Sequence, residues 1–326
     1  MNKENIINVN FSQYMNILSA EKVDIHILLS YFKKTDMDYD ANGNILINFN
    51  EKTKGTPILV AHTDNVLNGE RIPVMDLSGT NIIGKKAGIG FDDKAGIIGI
   101  IEIWRRSKTK DFRIIFTADE EVGGIGAIAL DKRVYEDAAY IIELDRRGGK
   151  DLINVSGTTR LCSDEFADMF SCYGFKKETG TFTDVNIFKE CMPKINMVNL
   201  SIGYYNPHTD NEYLCIKEFN YIVACVADFV ETHKEYIPDN TPVTKPKYNY
   251  ETNRYGSYSR YSSRAYDDDA LICDWCGRSI MREEEAFLYD NEIFCCRKCW
   301  EEAYKYDRRN NYDIDEVDYD EIEENK

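Results

Sequence analysis

Short apolar runs alternate with amphipathic segments along the first 236 residues of the chain. The apolar runs predict strands, because each has five or six residues rich in Ile, Val, Leu or Phe. They lie at 45–49, 57–61, 112–117, 139–144 and 196–200. Apolar positions recur at helical spacing in between, at 24–32, 93–104, 164–173 and 218–236. This alternation predicts an α/β fold with a mainly parallel, mixed sheet covered by helices on both faces.

Side chains that can bind metals come directly after most of these strands. They are His62, Asp64, Glu120, Glu121, Asp145 and His208, while Asp92 stands at the start of a helix. In open α/β sheets, ligands bind outside the carboxyl ends of the strands. Two imidazoles and several carboxylates at such an edge predict a hydrolase site with two metal ions.

The individual motifs carry this prediction unequally. In His-Thr-Asp at 62–64, the histidine can bind a metal through one ring nitrogen while the carboxylate receives the N–H of the other. The acidic run at 119–121 is electrostatically costly without cations, and adjacent carboxylates can divide metal binding from proton transfer. Asp92 could bridge two metals, but an ordinary helix N-cap is the alternative.

Taken together, the motifs resemble those of the co-catalytic zinc exopeptidases, above all peptidase T and its aminoacylase and carboxypeptidase relatives. The resemblance covers roughly residues 20–235 and lies in HTD, GFDDKAG, FTADEEVGG, a strand-end Asp and a late HT-x-x-E. It implies a metal-dependent exopeptidase, similar to an aminopeptidase or tripeptidase, that hydrolyses short peptides. An amidohydrolase of N-acyl amino acids on the same site, and an inactive scaffold, are the alternatives.

The resemblance also implies which residues hold the metals. One zinc would be bound by His62, Asp92 and Asp145, and the other by Asp92, Glu121 and His208. Asp92 would therefore bridge the two ions. Cobalt or manganese could take the place of zinc.

Further roles follow from the same resemblance. Asp64 would orient His62, and Glu120 would act as the general base. Glu143 is an alternative to Asp145, because both lie on the same face of a strand.

The spacing of the motifs predicts a lidless architecture. Lidded members of this superfamily insert a whole domain between the residues that Asp145 and His208 match. Only 62 residues separate the two here, and these must already supply strands and helices of the main sheet. A separate domain of ordinary size does not fit in that length.

Substrate contacts are less well defined by the sequence. Arg146 and Arg147 could clamp a substrate carboxylate by paired hydrogen bonds, or could simply offset the acidic site. The segment 183–186 resembles a loop at a pocket rim, where Asp184 could receive the amine of a peptide.

A cluster of cysteines near the end of the chain predicts a second metal site. Cys273 with Cys276, and Cys296 with Cys299, form two C-x-x-C knuckles separated by 19 residues. This spacing is typical of a structural zinc held by four thiolates. Cys295 is a spare thiol or an alternative to Cys296.

The remaining cysteines are isolated, and we expect reduced, partly buried thiols. They are Cys162, Cys172, Cys191, Cys215 and Cys225.

Composition sets the domain plan and the partners. We expect a catalytic domain at 1–237, a flexible Tyr- and Ser-rich linker at 238–270, a zinc-ribbon-like module at 271–300 and an acidic tail at 301–326. The net charge of −17 argues against nucleic acid, so the alternatives are a protein partner for the ribbon or the tail, or packing of the ribbon on the enzyme domain. No segment has the apolar length of a membrane span and no signal peptide is recognisable, so we expect a cytoplasmic protein.

Overall fold

The computed structural model describes residues 7–67 and 70–240, and beyond these the backbone of four short strands. The strands of the first part are β1 (Met37–Tyr39), β2 (Ile45–Ile47), β3 (Ile58–His62), β4 (Pro73–Met75), β5 (Asn81–Gly84), β6 (Arg113–Thr117), β7 (Ile141–Arg146), β8 (Asp151–Ser156), β9 (Thr159–Arg160), β10 (Lys176–Gly180), β11 (Met197–Ser201), β12 (Tyr204–Tyr205) and β13 (Tyr213–Cys215). The helices are α1 (Met15–Leu18), α2 (Ile25–Leu28), α3 (Phe91–Arg106), α4 (Ile125–Ala129), α5 (Asp164–Met169), α6 (Asp184–Cys191) and α7 (Ile216–Thr232).

Nine strands form the main sheet. Its order is β1-β2-β6-β3-β7-β11-β8-β10, with β9 paired to β8. The four central strands β6, β3, β7 and β11 are parallel, while β2 and β8 flank them in antiparallel pairing. The predicted fold class, an α/β fold with a mixed sheet, is confirmed.

Alternating side chains of the central strands pack into two separate hydrophobic cores, one on each face of the sheet. Leu59 and Ala61 of β3 belong to one core, together with residues of α3 and α7. Ile58 and Val60 point to the other face, where Ala127 of α4 and residues of α6 pack. Because both faces are covered, the strands β3 and β6 are buried along their whole length.

The five strands predicted from apolar runs are present within two residues, as β2, β3, β6, β7 and β11. Helix α2 is shorter than predicted. Asp24 caps its start by accepting a hydrogen bond from the backbone N–H of Ile27 at 2.9 Å. After Leu28 the chain tightens into turns, since the N–H of Ser30 bonds to the carbonyl of Ile27.

The segment between Asp145 and His208 contains strands β8 to β11 of the main sheet and helices α5 and α6. No separate domain is inserted there, as the spacing predicts. A smaller sheet of order β12-β13-β5-β4 carries the His208 loop between β12 and β13.

The chain divides into two units, residues 1–245 and 246–326. Residues 238–240, predicted to begin the linker, are held against the first unit by a bridge between Ile195 and Pro238 and an ion pair between Lys189 and Asp239. In the second unit, β14 (Leu271–Ile272) pairs antiparallel with β15 (Ser279–Ile280), and β16 (Phe287–Tyr289) with β17 (Glu292–Phe294).

The four knuckle cysteines, residues 241–270 of the linker and the acidic tail lie outside the described residues. Among those that are described, none of the helices has the length and apolar character that a membrane span requires.

Candidate active site

His62 stands at the end of the buried strand β3 and is itself 1% exposed. Its Nε2 lies 3.1 Å from Oδ1 of Asp92 and 3.5 Å from Oδ1 of Asp145. Its Nδ1 lies 3.0 Å from the backbone carbonyl oxygen of Asp64. A proton on Nδ1 would satisfy that carbonyl, which leaves the Nε2 lone pair facing two carboxylates, as a metal ligand requires.

Asp64 contacts both the ring of His62 and the acidic turn that follows β6. The nearer partner of the His62 ring is its carbonyl, since the carboxylate Oδ1 lies 3.5 Å from Nδ1. The carboxylate instead accepts the backbone N–H groups of Glu120 at 3.0 Å and Glu121 at 3.1 Å. Asp64 therefore fixes the acidic turn that follows β6, because its side chain bonds to that turn more closely than to the imidazole.

Asp92 presents its two oxygens to two different histidines. Oδ1 faces His62, and Oδ2 lies 3.2 Å from Nε2 of His208. The same nitrogen of His208 lies 3.1 Å from Oε1 of Glu121. His208 is brought there by the loop between β12 and β13, so the site joins the main sheet to the smaller one.

The surroundings of the Glu121 carboxylate indicate whether these side chains could hold metal ions. Its Oε1 is buried and accepts no hydrogen bond, although the ring nitrogen of His208 is close. Oxygens of both Asp92 and Glu121 lie within 3.2 Å of Nε2 of His208, so the three side chains converge as the ligands of a cation do. An orphaned, buried carboxylate oxygen is otherwise costly. The residues therefore fit the pair of metals that the resemblance implies.

Asp145, rather than Glu143, meets the histidine. The Glu143 side chain is fully buried and accepts a hydrogen bond from the hydroxyl of Thr183. Asp145 faces His62, and its Oδ1 also accepts a hydrogen bond from the hydroxyl of Tyr204 at 3.2 Å. The pairing of β7 with β11 shifts register next to Asp145, which separates the surroundings of these two acids.

Asp93 is buried beside the site but is occupied by the backbone. Ligand atoms of His62, Asp93 and Asp145 lie within 4.8 Å of one another, as do those of His62, Asp92 and Glu121. However, Asp93 accepts the backbone N–H groups of His62 at 3.2 Å and Gly96 at 2.9 Å. It therefore supports the strand end that carries His62.

The crowding of acids shifts the pKa values of the site. Burial disfavours the charged form of His62, but Asp145 and the other acids around it raise its pKa well above the usual range. Contacts with Asp92 and Glu121 raise the pKa of His208 to about 10. Burial and the charge of Asp92 raise the pKa of Asp145 to about 7. The site thus attracts positive charge strongly.

Glu120, the predicted general base, is partly exposed at the end of β6. Burial of its carboxyl raises its pKa well above the usual range, and the charges of Asp145, Asp184 and Glu121 add to this increase. A carboxylate with a raised pKa is a stronger base.

Arg146, Arg147 and Asp184 are the residues predicted to contact the substrate. Arg146 pairs with Asp151, Nε to Oδ2 at 3.3 Å, and the Arg147 side chain is exposed. Asp184 is fully buried in the first turn of α6, so residues 184–186 are helical and do not form a loop, while the contact of Asp184 with a substrate amine stays a prediction. The apolar residues that follow Thr183 explain the helix, because they pack into the second core.

Sequence reasoning missed three supporting side chains, Asp93, Thr183 as a donor, and Tyr204. Thr183 donates to Glu143 and lies 3.5 Å from Oδ2 of Asp145. Tyr204 is 2% exposed and also bonds the carbonyl of Asp145 at 3.3 Å. Their contacts join distant segments of the chain, and only the GFDDKAG motif pointed toward any of them.

No family model matches the chain, and no curated protein matches it. Solved structures with the same fold do exist. An aminopeptidase PepT from Bacillus cereus ATCC 10987 is 16% identical with a TM-score of 0.53, over 71% of this chain and 99% of that one. The chain has the fold of an aminopeptidase.

Two further structures agree. A tripeptidase from Staphylococcus aureus subsp. aureus Mu50 is 14% identical with a TM-score of 0.54, over 69% of this chain and 99% of that one. An aminopeptidase from the archaeon Desulfurococcus kamchatkensis is 12% identical with a TM-score of 0.54, over 68% and 96%. The fold that the resemblance implied is therefore confirmed.

Proposed function

We propose that the chain is a metal-dependent exopeptidase of the aminopeptidase or tripeptidase type that hydrolyses short peptides. The observation that carries the proposal is the position of Asp92, whose two oxygens lie 3.1 Å and 3.2 Å from the Nε2 atoms of His62 and His208. A carboxylate shared between two imidazoles suits a pair of metal ions. The fold of aminopeptidases and a tripeptidase supports the same reaction class.

Two sets of residues would hold the metals. His62, Asp92 and Asp145 form the first set, and Asp92, Glu121 and His208 form the second. When bound, the ions would supply a Lewis acid for the scissile carbonyl and would favour ionisation of the attacking water. Zinc, cobalt and manganese all suit imidazole and carboxylate donors.

Glu120 is the proposed general base. The carboxylate of Asp64 accepts the backbone N–H groups of Glu120 and Glu121, which fixes the turn that carries both acids. Glu120 would accept a proton from the attacking water at a carboxylate oxygen and donate it to the leaving amine. Its raised pKa makes the carboxylate a stronger base toward the attacking water.

We further propose that Cys273, Cys276, Cys296 and Cys299 hold one structural zinc, which rests on their spacing. A closed site of four thiolates would stabilise a small module and would take no part in hydrolysis. The acidic tail is then a candidate contact for a protein partner.

Hydrolysis of a mixed substrate panel tests the proposed function. The panel holds free di- and tripeptides, N-blocked peptides and N-acyl amino acids, each with and without Zn²⁺, Co²⁺ or Mn²⁺. We expect metal-dependent cleavage of the free tripeptides, lost in Asp92→Asn and kept in Asp168→Asn, an exposed carboxylate outside the site. Preference for N-acyl amino acids would favour the amidohydrolase, and no cleavage by the metal-loaded chain would contradict the proposal.

A further inference from the structure

Glu212, the last residue of the HT-x-x-E motif, is a buried acid that lies outside both proposed ligand sets. It is 1% exposed and comes four residues after His208. Its Oε2 accepts the backbone N–H groups of Gly90 at 2.6 Å and Phe91 at 2.9 Å, and its Oε1 accepts that of Asp92 at 3.2 Å. One carboxylate thus bonds to three consecutive amides of the segment that presents Asp92.

These amides need a partner from elsewhere in the chain. The first N–H groups of a helix have no acceptor within the helix. Gly90 precedes α3 with φ +75° and offers no side chain to cap it, and the backbone of Asp92 is not helical. Glu212 therefore supplies the acceptors that a capping side chain would normally provide.

The loop that carries Glu212 also carries His208. Within it, the N–H of Glu212 bonds to the carbonyl of Thr209, and the hydroxyl of Thr209 bonds to the carbonyl of Asn206. The loop also packs directly on the segment before Asp92, because a Cβ on Gly88 would lie 2.5 Å from the carbonyl oxygen of Thr209. His208 and Asp92 are consequently held relative to each other through this loop.

Apart from Asp92, which both sets share, the first ligand set is anchored in a different way. His62 ends β3 and Asp145 lies on β7, two neighbouring strands of the main sheet. Neither residue is hydrogen-bonded to Glu212 among the described residues. Loss of the Glu212 carboxylate should therefore disturb the second ligand set more than the first.

We propose that Glu212 is a positioning residue that aligns Asp92 with His208 and so sets the affinity of the second metal ion selectively. This inference rests on the proposed two-metal site. It assigns Glu212 no contact with substrate or with either ion.

Titration with Mn²⁺ by calorimetry on the full chain tests the inference. Mn²⁺ prefers carboxylate and imidazole donors to thiolates, so the titration reports this site and not the cysteine cluster. We expect Glu212→Gln to weaken one of two Mn²⁺ sites at least tenfold and to leave the other within twofold. The Mn²⁺ affinity that Glu212→Gln retains should equal the affinity that His208→Ala retains. It should differ from the affinity that His62→Ala retains.

Glu102→Gln is the matched control. Glu102 is also buried, lies on α3, and accepts a hydrogen bond from Arg106 at 3.0 Å, far along the helix from Asp92. Both Mn²⁺ affinities should survive this change, as a general loss of helix stability would not affect one ion alone. If Glu212→Gln does not fold, Glu212→Asp keeps the charge on a shorter side chain and should weaken the same ion.

The possible failures are distinguishable. Two Mn²⁺ sites of wild-type affinity in a folded Glu212 variant would overturn the inference while leaving the proposed function intact. A wild-type chain that binds only one Mn²⁺, or none, would overturn the proposed two-metal site and the inference with it.

Discussion

Glu120 and Glu121 are adjacent in the sequence, yet their side chains meet different surroundings. Glu121 reaches His208, with Oε1 3.1 Å from Nε2, whereas Glu120 stays at the end of β6 among charged neighbours. The carboxylate of Asp64 accepts both backbone N–H groups and so fixes the turn that carries the two side chains. One carboxylate can then serve as a ligand while the other transfers a proton.

Replacement of Glu120 separates these roles. Glu120→Gln keeps the size of the side chain but cannot accept the proton, so we expect kcat to fall about 100-fold or more with both metals retained. Steady-state kinetics on a tripeptide and metal analysis measure the two effects. Glu178→Gln, on the exposed strand β10, is the control and should be neutral. Activity of Glu120→Gln within tenfold of wild type would contradict the assignment.

The cysteines give a second prediction at the residue scale. Burial raises the pKa values of Cys162 and Cys225 to about 12, whereas Cys172 and Cys191 are exposed. Alkylation requires the thiolate, so at pH 8 the exposed pair should react with iodoacetamide within minutes and the buried pair only on unfolding. Peptide mass mapping checks this.

The same thiols make stability depend on pH. The unfolded state loses their protons near the usual pKa of about 8.5, and the folded state only near 12. Stability should therefore fall as pH rises above about 9. A rate of alkylation at Cys162 equal to that at Cys172 would show that the first core does not protect it.

The sequence predicted that certain side chains lie close together where each of them belongs to a short motif. His62, Asp92 and Glu121 each lie in a short, recognisable segment, and the strand periodicity placed them at one edge of the sheet. Tyr204 gave no such signal, because its contact with Asp145 spans 59 residues. The burial of Asp184 was not predictable for a related reason, since it is decided by packing across the sheet.

At the scale of elements, the segment that follows α7 is bonded to Lys189 of α6. Nζ of Lys189 lies 2.6 Å from Oδ2 of Asp239 and bonds the carbonyl of Ile195 at 2.7 Å. Both charged side chains are almost fully buried. A buried pair of this kind fixes the position of the segment around Asp239, because burying either charge alone would be costly.

Removal of one partner should therefore be strongly destabilising. Lys189→Met removes the ammonium group that lies 2.6 Å from the buried carboxylate of Asp239, and we expect the free energy of unfolding to fall by about 3–5 kcal/mol. Urea denaturation measures this, and addition of Asp239→Asn should recover part of the loss. Lys177→Met breaks an exposed pair with Asp164 and should cost at most about 1 kcal/mol. Equal effects of the two lysine changes would contradict the buried role.

Elements without an apolar pattern escaped prediction. Strand β10 reads Lys-Lys-Glu-Thr-Gly and is exposed along four of its five residues, so no alternation marks it. Its charges suit an edge strand, since they discourage pairing with another chain. The helix predicted at 24–32 was too long because apolar spacing does not distinguish an α-helix from the turns that follow α2.

At the scale of the whole molecule, the fold concentrates negative charge at one edge of the sheet. The chain carries a net charge of −17, and His62 and His208 lie among several carboxylates at the site. The alternation of strands and helices was sufficient to predict this edge, because parallel strands end together. The cysteine module adds a second metal site in the sequence prediction, at residues 271–300.

The most direct test of the account is the electron paramagnetic resonance spectrum of the full chain with two equivalents of Mn²⁺. If each of the two proposed ligand sets holds an ion, the Asp92 that both sets share would keep the two Mn²⁺ close enough for their spins to couple. We expect a coupled spectrum in the wild type and an uncoupled one in His208→Ala. Two independent six-line signals, or free Mn²⁺ alone, in the wild type would contradict the proposed two-metal site.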